Sequence, residues 1–323
     1  MVEEADVDPA DVLAELVAGG DVAVLSGAGL STESGIPDYR GPSGIARRHP
    51  PMTYQAFTND PGARRRYWAR SHLGWRAIAE AVPNAGHRAV AQLQRAGLLA
   101  GIVTQNVDGL HQAGGARDVV ELHGNLARVV CLHCGNAMSR NELDRRLREA
   151  NPGFTALVTA VNPDGDAELA DEDLARFRTV DCTLCAGGLL KPDVVFFGES
   201  VPSARVAECY ALIERSRLLL VLGSSLTVMS GRRFVVRAAK LGIPVVIVNQ
   251  GLTRGHGYAL LTIDAPLGAV LPDLVERCSD RPAVRRAAGG GGNQERSVQR
   301  AIRAASASDQ STRTIARTRS GGM

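Results

Sequence analysis

A chain of 323 residues, 45% hydrophobic but only 4% aromatic, holds enough apolar material for one large domain or two smaller ones. Its formal charge of +3 is unevenly spread: from Arg281 onward nine arginines face Glu295 and Asp309, giving that segment +7 and leaving −4 for the body. The basic balance is thus no argument for a nucleic-acid groove in the body, and no stretch nears the ~20 apolar residues of a membrane span.

The opening Met1-Val2-Glu3-Glu4-Ala5-Asp6 is acidic, unlike a secretory signal or a mitochondrial presequence, so a cytoplasmic protein is expected. Residues 9 to 19 carry a helical pattern (Val12, Leu13, Leu16, Val17) that stops at Gly19-Gly20. Asp21 to Leu25 then suits a buried parallel strand. Ser26-Gly27-Ala28-Gly29 follows at once, a sharp turn whose exposed N–H groups suit a phosphate. The usual dinucleotide fingerprint fails, because Thr32 stands where a third glycine belongs and no acidic residue follows at ribose-binding distance. An ordinary dehydrogenase is disfavoured. Ser31 to Arg40 reads as a polar lid over a cofactor, the alternative being a plain surface loop.

Residues 43 to 83 are rich in Arg, Pro and aromatics, with Tyr67 and Trp68 on a helix. His87 to Ala96 forms an amphipathic helix, Gly101 to Thr104 a strand, and Asp118 to Leu122 a further apolar stretch that delivers His123. Two Cys pairs bracket residues 135 to 181, which hold a charged helix (Asn141 to Ala150) and an acidic segment (Asp164 to Asp173). Strand signals at Val194 to Phe197, Leu218 to Leu222 and Pro244 to Val248 alternate with helices from Ala204 and Gly231. This alternation predicts an α/β fold, a doubly wound parallel sheet of Rossmann-like type, interrupted by a small inserted metal domain. Beyond residue 280 the glycine run and the Arg-, Ser- and Ala-rich stretch predict a disordered tail.

Cys131-Leu-His-Cys134 and Cys182-Thr-Leu-Cys185 are two CxxC knuckles, and four thiolates complete a tetrahedral zinc shell without an open position. That is a structural site in a reducing compartment. Gln105-Asn106-Val107-Asp108 sits at the carboxyl end of a strand, where parallel sheets place ligands, although an Asx turn reads the same way. His123 precedes Gly124; a lone histidine is more often structural than catalytic. Gly223-Ser224-Ser225 and Asn249-Gln250-Gly251 follow later strands and suit a bound nucleotide.

Gly27-Ala28-Gly29-Leu30-Ser31 through Gly35-Ile36-Pro37-Asp38-Tyr39-Arg40, with the motifs above in order, resembles the sirtuins, NAD-dependent protein lysine deacylases. The resemblance spans about residues 10 to 275 and implies NAD as co-substrate and one structural zinc ion held by the four cysteines. It implies His123 as general base, with Asn106 and Asp108 at the reacting end beside Gln105. Gly27, Ala28, Gly29, Ser31, Thr32, Ile36, Pro37, Asp38, Tyr39, Arg40, Gly223, Ser224, Ser225, Asn249, Gln250 and Gly251 are implied as cofactor contacts, with Leu267 over the adenine. Val194 and Phe196 would flank an acyl-lysine tunnel on a segment that pairs with the substrate peptide. Tyr67 and Arg70, three apart on one helical face, resemble the pair that sirtuins selective for acidic acyl groups carry, against a plain reading of Arg70 on a solvated face. The segment around Tyr67 to Trp75 looks closest to the class II branch with a mitochondrial member. Protein mono-ADP-ribosyl transfer is the first rival activity; a non-enzymatic NAD or nucleic-acid binding module is the second.

Overall fold

The computed structural model describes residues 8–38, 51–156, 158, 162, 165–167, 174–185 and 187–280. Tyr39 and Arg40 of the expected lid, most of the acidic segment Asp164 to Asp173 and the expected tail 281–323 lie outside them. The elements run α1 (Pro9–Ala18), β1 (Val22–Ser26), α2 (Tyr54–Asn59), α3 (Pro61–Glu80), α4 (Ala85–Arg95), β2 (Leu99–Thr104), α5 (Leu110–Ala113) and β3 (Val119–Glu121). Then come β4 (Gly124–Cys131), β5 (Ala137–Ser139), α6 (Arg140–Ala150), β6 (Leu190–Val194), α7 (Ser203–Glu214) and β7 (Leu218–Leu222). The series closes with α8 (Met229–Lys240), β8 (Val245–Val248), β9 (Leu261–Ile263) and α9 (Leu267–Ser279).

Local chemistry sets several of these boundaries. Asp8 caps α1 by accepting from the Ala10 N–H, and Pro9 occupies a first-turn position where its missing donor costs nothing. Asn84 and His87 form a reciprocal capping box at the start of α4. The runs Val-Ala-Val-Leu-Ser, Leu-Leu-Leu-Val-Leu and Val-Val-Ile-Val are buried at every position, which requires a sheet covered on both faces.

The main sheet has six strands in the order β3-β2-β1-β7-β8-β9, all parallel. One face packs on α1, α4 and α9 through Val12, Leu93 and Leu271; the other packs on α7 and α8 through Leu212 and Phe234. Each such side chain contributes roughly 1.5–3 kcal/mol on burial. The strand order reverses between β1 and β7, so the loops after these two strands open a crevice at their carboxyl ends.

A second sheet, antiparallel in the order β5-β4-β6, packs with α2, α3 and α6 around its own core of Phe57, Trp68, Leu143 and Phe177. Pairing of Cys131 with Leu190 brings the two ends of the insert back together. The strand expected at Val194 to Phe197 is displaced and runs over Leu190–Val194. Pro192 lies within it, which the edge position of β6 permits. Within this unit the Arg140 guanidinium is buried over the rings of Trp68 and Trp75, donates to the Ser71 carbonyl, and faces Asp144, which also meets His72 at 2.6 Å. Among the described residues no helix is long and apolar enough to cross a membrane.

Candidate active site

The loops after β1 and β7 interlock. Gly27 N–H donates to the Leu222 carbonyl at 2.9 Å and Gly29 N–H to the Gly223 carbonyl at 2.8 Å. A Cβ on Gly27 would lie 2.8 Å from the Gly223 oxygen, and one on Gly29 2.9 Å from the Gly223 Cα. Both separations are shorter than real side chains tolerate, so this close approach demands glycine. Beyond the interlock opens a cavity of about 1050 Å³.

Most of the expected site residues meet there. Gly27, Ala28, Gly29, Ser31, Thr32, Ile36 and Asp38 line it from the first loop, and Gln105, Asn106 and Asp108 from the end of β2. Gly223, Ser224 and Ser225 line it after β7, Asn249, Gln250 and Gly251 after β8, and Leu267 at the start of α9. His123, Val194, Phe196 and Tyr67 complete the expected set. Pro37 and Arg70 do not line the cavity. Arg70 is buried with the inner face of α3, so the solvated-face reading of it is corrected.

A polar web ties the loops to one another. Ser31 Oγ donates to Asp108 Oδ2 at 2.7 Å, and the Asn106 amide donates to Ser31 Oγ and to the Gly27 carbonyl, both at 3.0 Å. The Gln105 amide donates to Ser224 Oγ at 2.9 Å, bridging the loops after β2 and β7. Burial pushes the Asp108 carboxyl above its ordinary range, against the opposing bonds from the Leu110 N–H and Ser31. Asn106 and Asp108 therefore present hydrogen-bonding groups in the cavity wall.

His123 follows β3 and sits in the wall with Nδ1 at 2.9 Å from the Gln105 carbonyl and Nε2 at 2.8 Å from Ser230 Oγ. Burial lowers its pKa; the nearby Arg205 and Arg233 push the same way, and the Gln105 bond opposes them. A neutral ring must use Nδ1–H toward the carbonyl, which can only accept. Nε2 then keeps its lone pair for a proton, the state a general base needs.

The four cysteines form a separate cluster whose sulfurs all lie within 4.8 Å of one another. Cys131 and Cys185 Sγ are 3.5 Å apart, and Cys134 and Cys182 Sγ 3.8 Å. A tetrahedron with zinc–sulfur bonds of ~2.3 Å has edges of ~3.8 Å, so this donor set fits zinc. The His133 N–H donates to Cys131 Sγ at 3.4 Å. No group in this cluster lines the cavity, as a structural site requires.

Comparison with known proteins agrees with this geometry. The sequence profile of the Sir2 family matches residues 27–230. The chain belongs to the Sir2 family. This sirtuin is 60% identical over 265 residues to NAD-dependent protein deacetylase 1 of Streptomyces coelicolor, covering 82% of this chain and 88% of the relative. It is 51% identical over 275 residues to NAD-dependent protein deacetylase 1 of Mycobacterium avium, covering 84% and 96%. Among solved structures, a Sir2 complex with a p53 peptide and NAD+ superposes with a TM-score of 0.66 at 28% identity, over 83% of this sirtuin and 97% of that chain. A chain solved in work on the mechanism and regulation of Sir2 enzymes superposes with a TM-score of 0.65 at 30% identity, over 84% and 98%.

Sequence reasoning missed the part of the cavity wall where Ser230 and Arg233 of α8 stand with Tyr210 of α7. Ser230 and Arg233 are three apart, hence on one helical face, which is the signal that was available.

Proposed function

We infer that this protein is an NAD-dependent protein lysine deacylase with deacetylation as its core activity. The observation that carries the reading is the placement of His123, its Nδ1 held by the Gln105 carbonyl, in the wall of a cavity built from interlocked glycine loops at the sheet's switch point. When bound, NAD supplies an electrophilic ribose carbon and accepts the acyl group, so that, with one water consumed, nicotinamide, free lysine and O-acyl-ADP-ribose are the products. The chain's residues do the rest. Gly27, Gly29 and Gly223 let the cofactor backbone approach closely, while Ser224, Ser225, Asn249, Gln250, Gly251 and Leu267 hold the adenosine half. Asn106 and Asp108 hold the nicotinamide end. His123 takes a proton from a ribose hydroxyl at Nε2. Val194, Phe196 and Tyr67 wall the lysine stem with apolar surface, which suits methylenes.

The catalytic unit spans residues 1–280, with a small part from about 43–83 and 128–188 that a zinc ion on the four cysteines holds together. The two close cysteine pairs, which suit a metal in a reducing compartment, support a cytoplasmic protein. The sequence around Tyr67 to Trp75 supports placement in the class II branch. Acyl-lysine proteins are the partners. A panel of lysine peptides bearing acetyl, long fatty, lipoyl and dicarboxylic acyl groups, read by mass, tests the reading and ranks the chains. Unmodified lysine is the expected product; ADP-ribose retained on the target would instead favour mono-ADP-ribosyl transfer. Arg70→Ala should weaken succinyl or glutaryl peptides selectively if Arg70 governs a carboxylate; equal loss on every acyl group removes that role.

A further inference from the structure

The catalytic base of this reading has a contact from an unexpected element. α8 carries none of the expected site residues, yet its first turn reaches His123 across 107 residues of sequence, with Ser230 Oγ 2.8 Å from Nε2. Because the Gln105 carbonyl accepts from Nδ1–H, the neutral ring can only accept at Nε2, so the serine hydroxyl is the donor. Both ring nitrogens are thereby engaged and the plane of the ring is fixed. We propose that Ser230 is a positioning residue for the reaction: its hydroxyl aims the Nε2 lone pair of His123 into the cavity and holds the imidazole neutral until a ribose hydroxyl takes its place.

Three features of the setting support this. Ser230 sits in the first turn of a 12-residue helix, whose N-terminal positive end disfavours an imidazolium beside it. The charged groups acting on the ring from the neighbouring helices are Arg205 of α7 and Arg233 of α8, both cationic and both opposed to protonation. Arg205 is itself anchored by a bond to the Leu122 carbonyl, one residue before the histidine. Gln105, whose carbonyl favours the charged ring, is also the residue whose amide bridges to Ser224. An incoming hydroxyl must use the same lone pair that Ser230 now occupies, so Ser230 marks the place where the proton is handed over.

The inference rests on His123 acting as base, and its test separates the two claims. Wild-type protein, Ser230→Ala and Ser230→Thr are compared by the pH dependence of kcat/KM for NAD with an acetyl-lysine peptide. In parallel, the His123 ring nitrogens are followed by 15N NMR in the protein alone. Losing the hydroxyl donor favours the charged ring, so in Ser230→Ala the acidic limb should move up by about half a unit to one unit. The NMR titration should move with it, and Ser230→Thr, which keeps the hydroxyl, should restore both. An active wild type whose Ser230→Ala variant loses the same factor at every pH, with the His123 titration unmoved, would overturn the positioning role. A wild type that releases no nicotinamide would instead overturn the activity on which it rests.

Discussion

The two units of this protein are held together by different physics. In the main sheet β1, β7 and β8 are buried at every position, and apolar contact on both faces supplies the stability. The smaller unit also has an apolar core, but it encloses a buried cation over two indole rings, a buried Asp144–His72 contact and four clustered thiols. An apolar sheet tolerates the loss of one methyl group gradually, whereas a buried charge or a metal shell fails when one member is removed. The cavity lies where the two meet, with glycine loops from the first and Val194, Phe196 and Tyr67 from the second. Catalysis should therefore depend on both.

The largest effect expected is on the metal-bearing side. Chelation, or Cys131→Ser, should release the zinc, unfold the smaller unit and abolish deacylation, while far-UV circular dichroism keeps the helix signal of the main sheet's layers; metal analysis beside activity checks this. His123→Ala should lower turnover by about 10²- to 10⁴-fold while leaving thermal stability nearly unchanged, as nicotinamide-release rates and a melting curve would report. Arg140→Ala should cost roughly 3–5 kcal/mol, because Asp144 loses a buried partner, and chemical denaturation measures it. Gly29→Ala drives a Cβ into the Gly223 backbone, an overpacking cost of about 1–3 kcal/mol that should appear as weaker NAD binding in calorimetry.

The smallest effect at neutral pH concerns the main unit. His87 and His111 stack edge-on at 5.3 Å, and burial pushes their pKa values down to about 4 and about 3. Unfolded histidine binds a proton near pH 6.5, whereas these bind one only at much lower pH, so the unfolded state holds more protons in between. Stability from this pair is complete above pH 6.5 and falls as pH drops toward 4, by about 1.4 kcal/mol per unit for each histidine. Denaturation midpoints between pH 7 and 5 should fall, and fall less in His87→Gln.

Sequence made the sheet and the metal set legible because both are written locally. Five-residue apolar runs need no partner to be recognised, and Cys131–Cys134 and Cys182–Cys185 declare themselves by spacing. The loops after β1 and β2 were legible through glycine and amide residues at strand ends. What was hidden is non-local. β4 and β5 carry mixed patterns that acquire meaning only through antiparallel pairing with one another and with β6. Arg140 looks like one more charged helix residue until Trp68 and Trp75 of α3 cover it. Ser230 reads as an ordinary helix-start serine until His123 lies against it.

The central claim is that one pocket makes NAD an electrophile for an acylated lysine and hands the acyl group to ADP-ribose. Quantifying nicotinamide, deacylated peptide and acyl-ADP-ribose in the same reaction with an acetyl-lysine peptide tests it most directly. The account predicts the three in equal amounts and in proportion to the enzyme. Nicotinamide release that is absent with every acylated acceptor, or that proceeds without loss of the acyl group from lysine, would contradict it.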